Sequence, residues 1–318
     1  MPGFLTHYMG GQSALEAMEP MIRAYISPAT KLYNLGTQGP DIFFYYAPGF
    51  ITKRIRGVGT QMHESDLGLF FMYLADFLKN SKSPAQRQIL FSYVAGFLVH
   101  YAVDVHTHGY VYGKTQDEPK IKEATRHRHF ETSVDVLMLK HMYGHKPGDY
   151  NQRQLISPKK ILIRVAAAAI SEAIRDVYQR DVTPIDAYRA METMARFTGY
   201  LQSRTGLRKR LVGRVEDMTV GSRIISALVH MEEVTDGYDY LNLEKLSWSA
   251  PWAPEEARTE SFVELYDAAI ANAVNMIQCL HAYMQEGIAR DELAAKIMNC
   301  SLKTGLDAGS TAFSGDNA

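Results

Sequence analysis

Residues 91–104 read FSYVAGFLVHYAVD, and 105–108 continue the run as VHTH. Apolar side chains fill this stretch without strand-like alternation, so it predicts a helix buried over most of its circumference. Within it His100, Asp104 and His108 follow one another at intervals of four residues. Positions four apart on a helix lie on one face, roughly 5 to 6 Å from each other, so an imidazole and a carboxylate can meet one ion there. A carboxylate in such apolar surroundings is costly to bury unless it is paired or metal-bound, and a plain histidine–aspartate ion pair or a metal would each satisfy it. His106 is offset by two from Asp104, points away from that face and ranks below His108 as a ligand. Gly109 is where this helix is expected to stop.

Helical spacing recurs outward from this stretch, over 14–26, 67–78, 85–105, 120–143, 159–178, 184–201 and 262–283. Alternating runs are scarce. Ser83-Pro84, Ser157-Pro158 and Thr183-Pro184 each put a capping residue before a proline at an expected helix start. The fold class expected is all-α, as one helical domain over 1–308, with the candidate ligands in 1–135 and supporting helices in 136–308. The small, polar segment 309–318 reads as a flexible tail. Two irregular segments interrupt the pattern. Residues 36–59 combine glycines and prolines with Phe43, Phe44, Tyr45, Tyr46 and Phe50, and read as a structured site loop. Residues 236–254 carry Trp248 and Trp252 with Tyr238 and Tyr240, and are placed to close over a pocket.

The 318 residues are 46% apolar, ample for a continuous core, and the formal net charge is −1. With Lys and Arg spread along the chain there is no basic stripe for duplex nucleic acid. The start, MPGFLTHYMGG, has neither a basic leader nor an uninterrupted apolar core, so a cytoplasmic protein is expected. Cys279 and Cys300 are too few for a disulfide scaffold. The longest apolar run, 89–103, contains His100 and is short for a bilayer crossing, which leaves peripheral membrane contact as the remaining option. Lys53, Arg54 and Arg56 could meet acidic headgroups there or form an ordinary solvated loop.

A second pair, His127 and Glu131, lies in RHRHFETSVD at 126–135, with His129 off its face. Such a pair is also common on solvated helices. His7 in LTHYM, Asp41 in QGPDIFFYY and His63 in TQMHESD fall at expected loop-to-helix boundaries, where side chains can be aimed inward. Together these residues supply three or four ligands for each of two zinc ions, with open positions for water.

The ordered set THY at 6–8, GPDIFFY at 39–45, His63, GFLVHYAVDVHTH at 96–108 and HRHFETSVD at 127–135, with a weaker echo in DYLNL at 239–243, resembles the zinc-dependent phospholipase C family, in particular its cytoplasmic bacterial members. The resemblance implies an all-helical scaffold, one shared with single-strand-specific zinc nucleases. It implies one zinc on His63, His100 and Asp104, a second on His108, His127 and Glu131, and a third on His7 sharing Asp104. Asp41 would be the general base or a further ligand. The implied reaction is in-line hydrolysis of a phosphodiester in a phospholipid headgroup or a small soluble analogue. Phe43, Tyr45 and Tyr46 beside Asp41 could wall a site for a choline-like cation or a stacked base, or be core residues. A nuclease or nucleotidase on the same scaffold, and a metal-binding protein without turnover, are the alternatives. There is no adjacent His-Asp dipeptide for an HD-type phosphohydrolase and no Glu-xx-His pair for a di-iron bundle.

Overall fold

A computed structural model describes residues 3–46, 52–115, 120–201, 206–219 and 224–309. The helices, in chain order, are α1 (Phe4–Ala17), α2 (Pro20–Ile26), α3 (Thr30–Gly36), α4 (Thr52–Glu64), α5 (Leu67–Asn80), α6 (Pro84–Thr115), α7 (Lys120–Tyr143), α8 (Gln152–Leu155), α9 (Lys160–Tyr178), α10 (Pro184–Leu201), α11 (Leu207–Thr219), α12 (Ile224–Ala227), α13 (Phe262–Met284) and α14 (Arg290–Ile297). A 3-10 turn spans Gly39–Tyr45. Among the described residues there is no β-strand, and β-pairing is limited to isolated bridges such as Trp248 with Arg258. The chain is all-α.

Helix α6 is the axis of the fold. Phe91, Val94, Phe97, Leu98, Tyr101 and Ala102 are fully or almost fully buried, and α3 and α13 pack along it. At Gly96 a Cβ would stand 2.1 Å from the Tyr33 carbonyl oxygen, so only glycine lets α3 approach α6 this closely. Phe70 and Phe71 of α5 meet Phe97 with ring centroids 5.5 and 5.1 Å away. Phe97 in turn lies edge-on to the His100 ring at 6.2 Å, so these rings hold α6 in one rotational setting beside the ligand face.

Several boundaries differ from the sequence expectation. Helix α6 does not stop at Gly109. It runs to Thr115 because Tyr110 and Val111 are buried in the next turn, which outweighs the roughly 1 kcal/mol propensity cost of a glycine. Its length and composition would let it cross a bilayer, contrary to the sequence reading, but 83% of its most apolar window is buried inside the protein. The expected 14–26 helix is two helices, broken before Pro20, and α1 begins at Phe4. His7 stands at the end of the first turn of α1, close to the expected loop-to-helix boundary, whereas His63 lies in the last turn of α4 and not at a helix start. The 36–59 segment is a loop only in part, since Thr52 opens α4. Phe50 and the tail beyond Gly309 lie outside the described residues.

The 236–254 segment is irregular, as its composition predicts. Asn242 holds it by donating its side-chain amide to the carbonyls of Leu246 (2.9 Å), Thr259 (3.2 Å) and Glu260 (3.3 Å). Trp248 stacks edge-on to Tyr110 at 5.2 Å, and Trp252 lies 5.8 Å from Tyr112.

Candidate metal centre

Five elements converge on one buried cluster. Helix α6 contributes His100, Asp104 and His108 from one face, α1 contributes His7, the 3-10 turn Asp41, the end of α4 His63, and α7 His127 with Glu131. His100 Nε2 stands 3.2 Å from Asp104 Oδ2, His7 Nε2 3.3 Å from Asp104 Oδ1, and His63 Nε2 3.2 Å from Asp41 Oδ1. His127 Nε2 is 2.8 Å from Glu131 Oε1. The ligand atoms of His63, His100 and Asp104 lie within 4.8 Å of one another, as do those of His7, Asp41 and His100, and those of His108, His127 and Glu131. The groups adjoin through α6, where His108 Nδ1 is 3.9 Å from Asp104 Oδ2.

The backbone around the cluster sets the imidazole tautomers. His63 Nδ1 bonds the Gly59 carbonyl (2.6 Å), His100 Nδ1 the Thr37 carbonyl (3.1 Å), and His108 Nδ1 the Leu302 carbonyl. A carbonyl oxygen only accepts, so each Nδ1 carries the proton and each Nε2 of a neutral ring is a bare lone pair. The same logic covers His127. Thr115 Oγ1 donates to the Val111 carbonyl (2.8 Å), so it accepts from His127 Nδ1 (3.2 Å). Gly39 completes the cradle: its φ is +48°, and a Cβ there would be 2.3 Å from the His100 ring.

This wiring leaves Nε2 of His7, His63, His100 and His108, Oδ1 of Asp41 and both carboxylate oxygens of Asp104 buried and without a hydrogen-bond partner. Lone pairs facing lone pairs at about 3.2 Å repel and are unstable in a dry interior, unless a cation lies among them. The donor set, imidazole nitrogen plus carboxylate oxygen, suits zinc. The residues therefore fit divalent metal.

Protonation states agree with that fit. Burial pushes the pKa of His108 and of His127 well below the ordinary imidazole value, so both rings are neutral near pH 7. Burial alone would raise Asp104, and positive charge on the side of His108, His100 and His7 holds its carboxyl well below the usual range; with those rings neutral, a bound cation is what would supply that charge. Neutral imidazole and ionised carboxylate are the metal-binding forms.

The aromatic expectations need correction. Phe43 is fully buried in the core, and Tyr46 is buried with its hydroxyl donating to Asp186 Oδ1 at 2.8 Å, so neither ring is available as a wall. The ring beside the ligands is Phe44, 5.3 Å from His63. Tyr45 is half-buried, and its phenol pKa is raised by burial and then by Asp41, with Arg128 opposing. Arg54 is not a loop cation free for headgroups: it pairs with Asp181 (2.7 Å) and Asp186 (3.5 Å). His106 faces Asn272 at 3.2 Å, away from the cluster.

Some residues escaped sequence reasoning. Asp135, buried, accepts from the backbone N–H groups of Leu5 (2.9 Å) and Thr6 (2.8 Å), from the Thr6 hydroxyl (2.6 Å) and from His230 Nε2 (2.7 Å). It caps the first turn of α1 from another helix and so positions His7. The signal was present in part, because Asp135 follows Glu131 by four residues on α7. Leu302 and its neighbours gave none: the Lys303 N–H donates to the His63 carbonyl at 3.3 Å and the Leu302 carbonyl accepts from His108, so the segment after α14 braces two candidate ligands by backbone groups that leave no mark in residue type.

A family model described as zinc dependent phospholipase C matches residues 6–183, more than half of the chain. The chain belongs to that family. No curated protein and no solved structure matches it. The matched span contains every candidate ligand of the cluster, from His7 to Glu131. The zinc-dependent phospholipase C assignment and the unsatisfied buried donor set thus bear on the same residues, and the family is one of hydrolases.

Proposed function

We propose that the protein hydrolyses the phosphodiester of a phospholipid headgroup, or of a small soluble analogue, with zinc held by His63, His100 and Asp104 and by His108, His127 and Glu131. His7 and Asp41 adjoin the first group. The observation that carries this reading is the convergence of buried, unsatisfied Nε2 and carboxylate atoms at one point within the family-matched span. Zinc bound there supplies Lewis acidity, which acidifies water and neutralises charge on phosphoryl oxygens.

The chain's own groups supply the rest. Asp41 Oδ1 lies 3.2 Å from His63 Nε2, beside the first group, and in this reading its carboxylate takes a proton from the attacking water. His63 and His100, with Nδ1 tied to carbonyls, cannot rotate, which keeps the receiving geometry fixed. Arg128, one residue beyond His127, is half-buried and makes no ion pair among the described residues, while burial lowers its pKa and Tyr45 raises it. Its guanidinium suits an anionic phosphoryl oxygen. Phe44 and Tyr45 bound the same side as Asp41.

The test is a substrate panel on zinc-loaded protein: short-chain phospholipid, a soluble phosphodiester, and single-stranded nucleic acid. Phospholipid or diester cleavage that disappears in Asp41→Asn supports the reading. Preferred cleavage of the nucleic acid would move the protein to the nuclease alternative.

A further inference from the structure

Helix α11, LRKRLVGRVEDMT at 207–219, is amphipathic in the inverted sense. Leu207, Leu211, Val215 and Met218 lie on one face at helical spacing. That face is outward: Leu211 is 52% exposed and Met218 79%. The opposite face, packed on the protein, presents Gly213 and Glu216, both buried, and half-buried Lys209. Ordinary core packing would turn the helix by about half a revolution. Two anchors prevent it. Glu216 accepts from the Ser226 backbone N–H at 2.9 Å, and Arg208 Nη1 donates to the Tyr200 carbonyl at 2.8 Å.

Through Arg208 the stripe adjoins the end of α10, where a row of rings leads toward Asp41. Tyr200, at the end of α10 and 67% exposed, lies 6.4 Å from Phe197 between ring centroids, and Phe197 lies 6.0 Å from Tyr45, the ring next to Asp41. Exposed arginines flank the stripe at 208, 210 and 214, against one exposed acid, Asp217. An apolar face bordered by arginine matches the acyl boundary and the negative headgroup layer of an anionic bilayer, whereas an ordinary solvated face would be polar throughout.

We propose that the outward face of α11, together with Phe197 and Tyr200, seats on an anionic phospholipid bilayer and presents the metal centre to the headgroups. The docking gains its purpose from the hydrolase reading above, but binding is measurable without turnover.

The full-length, zinc-loaded protein is sedimented with vesicles of phosphatidylglycerol and phosphatidylcholine, and with phosphatidylcholine alone. Wild type is expected to favour the anionic vesicles by about tenfold or more, with the preference shrinking at high salt. Leu211→Gln with Met218→Gln should lose at least about tenfold of that binding, with zinc content and melting temperature showing that the variant is folded. Asp41→Asn should bind vesicles like wild type. Equal binding by the double variant, or no binding by wild type, overturns the proposal. So would a double variant that changes only self-association in analytical ultracentrifugation, since the face would then cover a second copy of this chain. Wild-type vesicle binding without lipid cleavage would uphold docking and defeat the hydrolase reading instead.

Discussion

Helices α6 and α11 break the ordinary distribution of polarity in opposite directions. In α6 the polar residues His100, Asp104 and His108 are sunk in the core, and in α11 the apolar residues Leu211 and Met218 face solvent while Glu216 is buried. Local consistency between sequence pattern and burial is the norm in foldable chains, and the places that violate it are where function is expected. The lesson of the pair is that each violation is held in place by named contacts. The carbonyls of Thr37 and Leu302 orient the α6 imidazoles, and the Ser226 N–H and the Tyr200 carbonyl anchor α11.

The largest effect expected on the α6 side is chemical. Asp41→Asn keeps the shape of the side chain and removes its basicity, so turnover on the preferred phosphodiester should fall by about 10²–10⁴-fold while zinc content holds. Elemental analysis beside initial rates checks it, and unchanged turnover would remove Asp41 from the mechanism. Next comes a direct contrast between the two helices with one substitution. Leu98→Ala, at a fully buried site on α6, should cost about 2–5 kcal/mol of stability, whereas Leu211→Ala on α11 should stay within about 0.5 kcal/mol. Urea unfolding of the metal-loaded protein measures both, and a costly Leu211→Ala would mean that α11 packs with its apolar face inward.

Asp135→Asn tests the brace behind His7. It weakens the charge-assisted bonds to Leu5, Thr6 and His230, and about 1.5–3 kcal/mol of stability should go with them, along with a lower affinity for metal if His7 is a ligand as proposed. Metal competition with a chelator reads the second effect, which a purely structural aspartate would not produce. The smallest effect is pH-dependent. In chelator-treated protein His108 and His127 stay neutral below the unfolded imidazole pKa, so as pH falls through about 6.5 the unfolded chain takes up protons that the folded chain refuses. Stability should therefore decline on acidification, by up to about 1.4 kcal/mol per pH unit for each ring. A flat profile between pH 7 and pH 5 would contradict the buried, neutral assignment.

The legible part of the fold was the part written in residue type. Helical periodicity marked α5, α7, α9, α10 and α13 nearly to their ends, and the four-residue intervals of His100, Asp104, His108 and of His127, Glu131 marked two ligand groups. Tertiary contact wrote the rest. Helix α1 has no side-chain cap of its own because Asp135, far along the chain, supplies one, so the start at Phe4 left no local signal. The α6 terminus overrode Gly109 through burial of Tyr110 and Val111. Phe43 and Phe44 are neighbours of the same type, and only packing decides which one enters the core. Helix α11 has ordinary amphipathic spacing at Leu207, Leu211, Val215 and Met218, and what the sequence does not tell is that packing turns this face outward.

The most direct test of the metal centre is elemental analysis of chelator-free protein, comparing wild type with His100→Ala, His127→Ala. The account predicts at least two zinc ions per chain in wild type and their loss in the double variant. Stoichiometric metal retained by the variant, or none in wild type, would contradict it, since the buried Nε2 and carboxylate atoms would then have some other means of satisfaction.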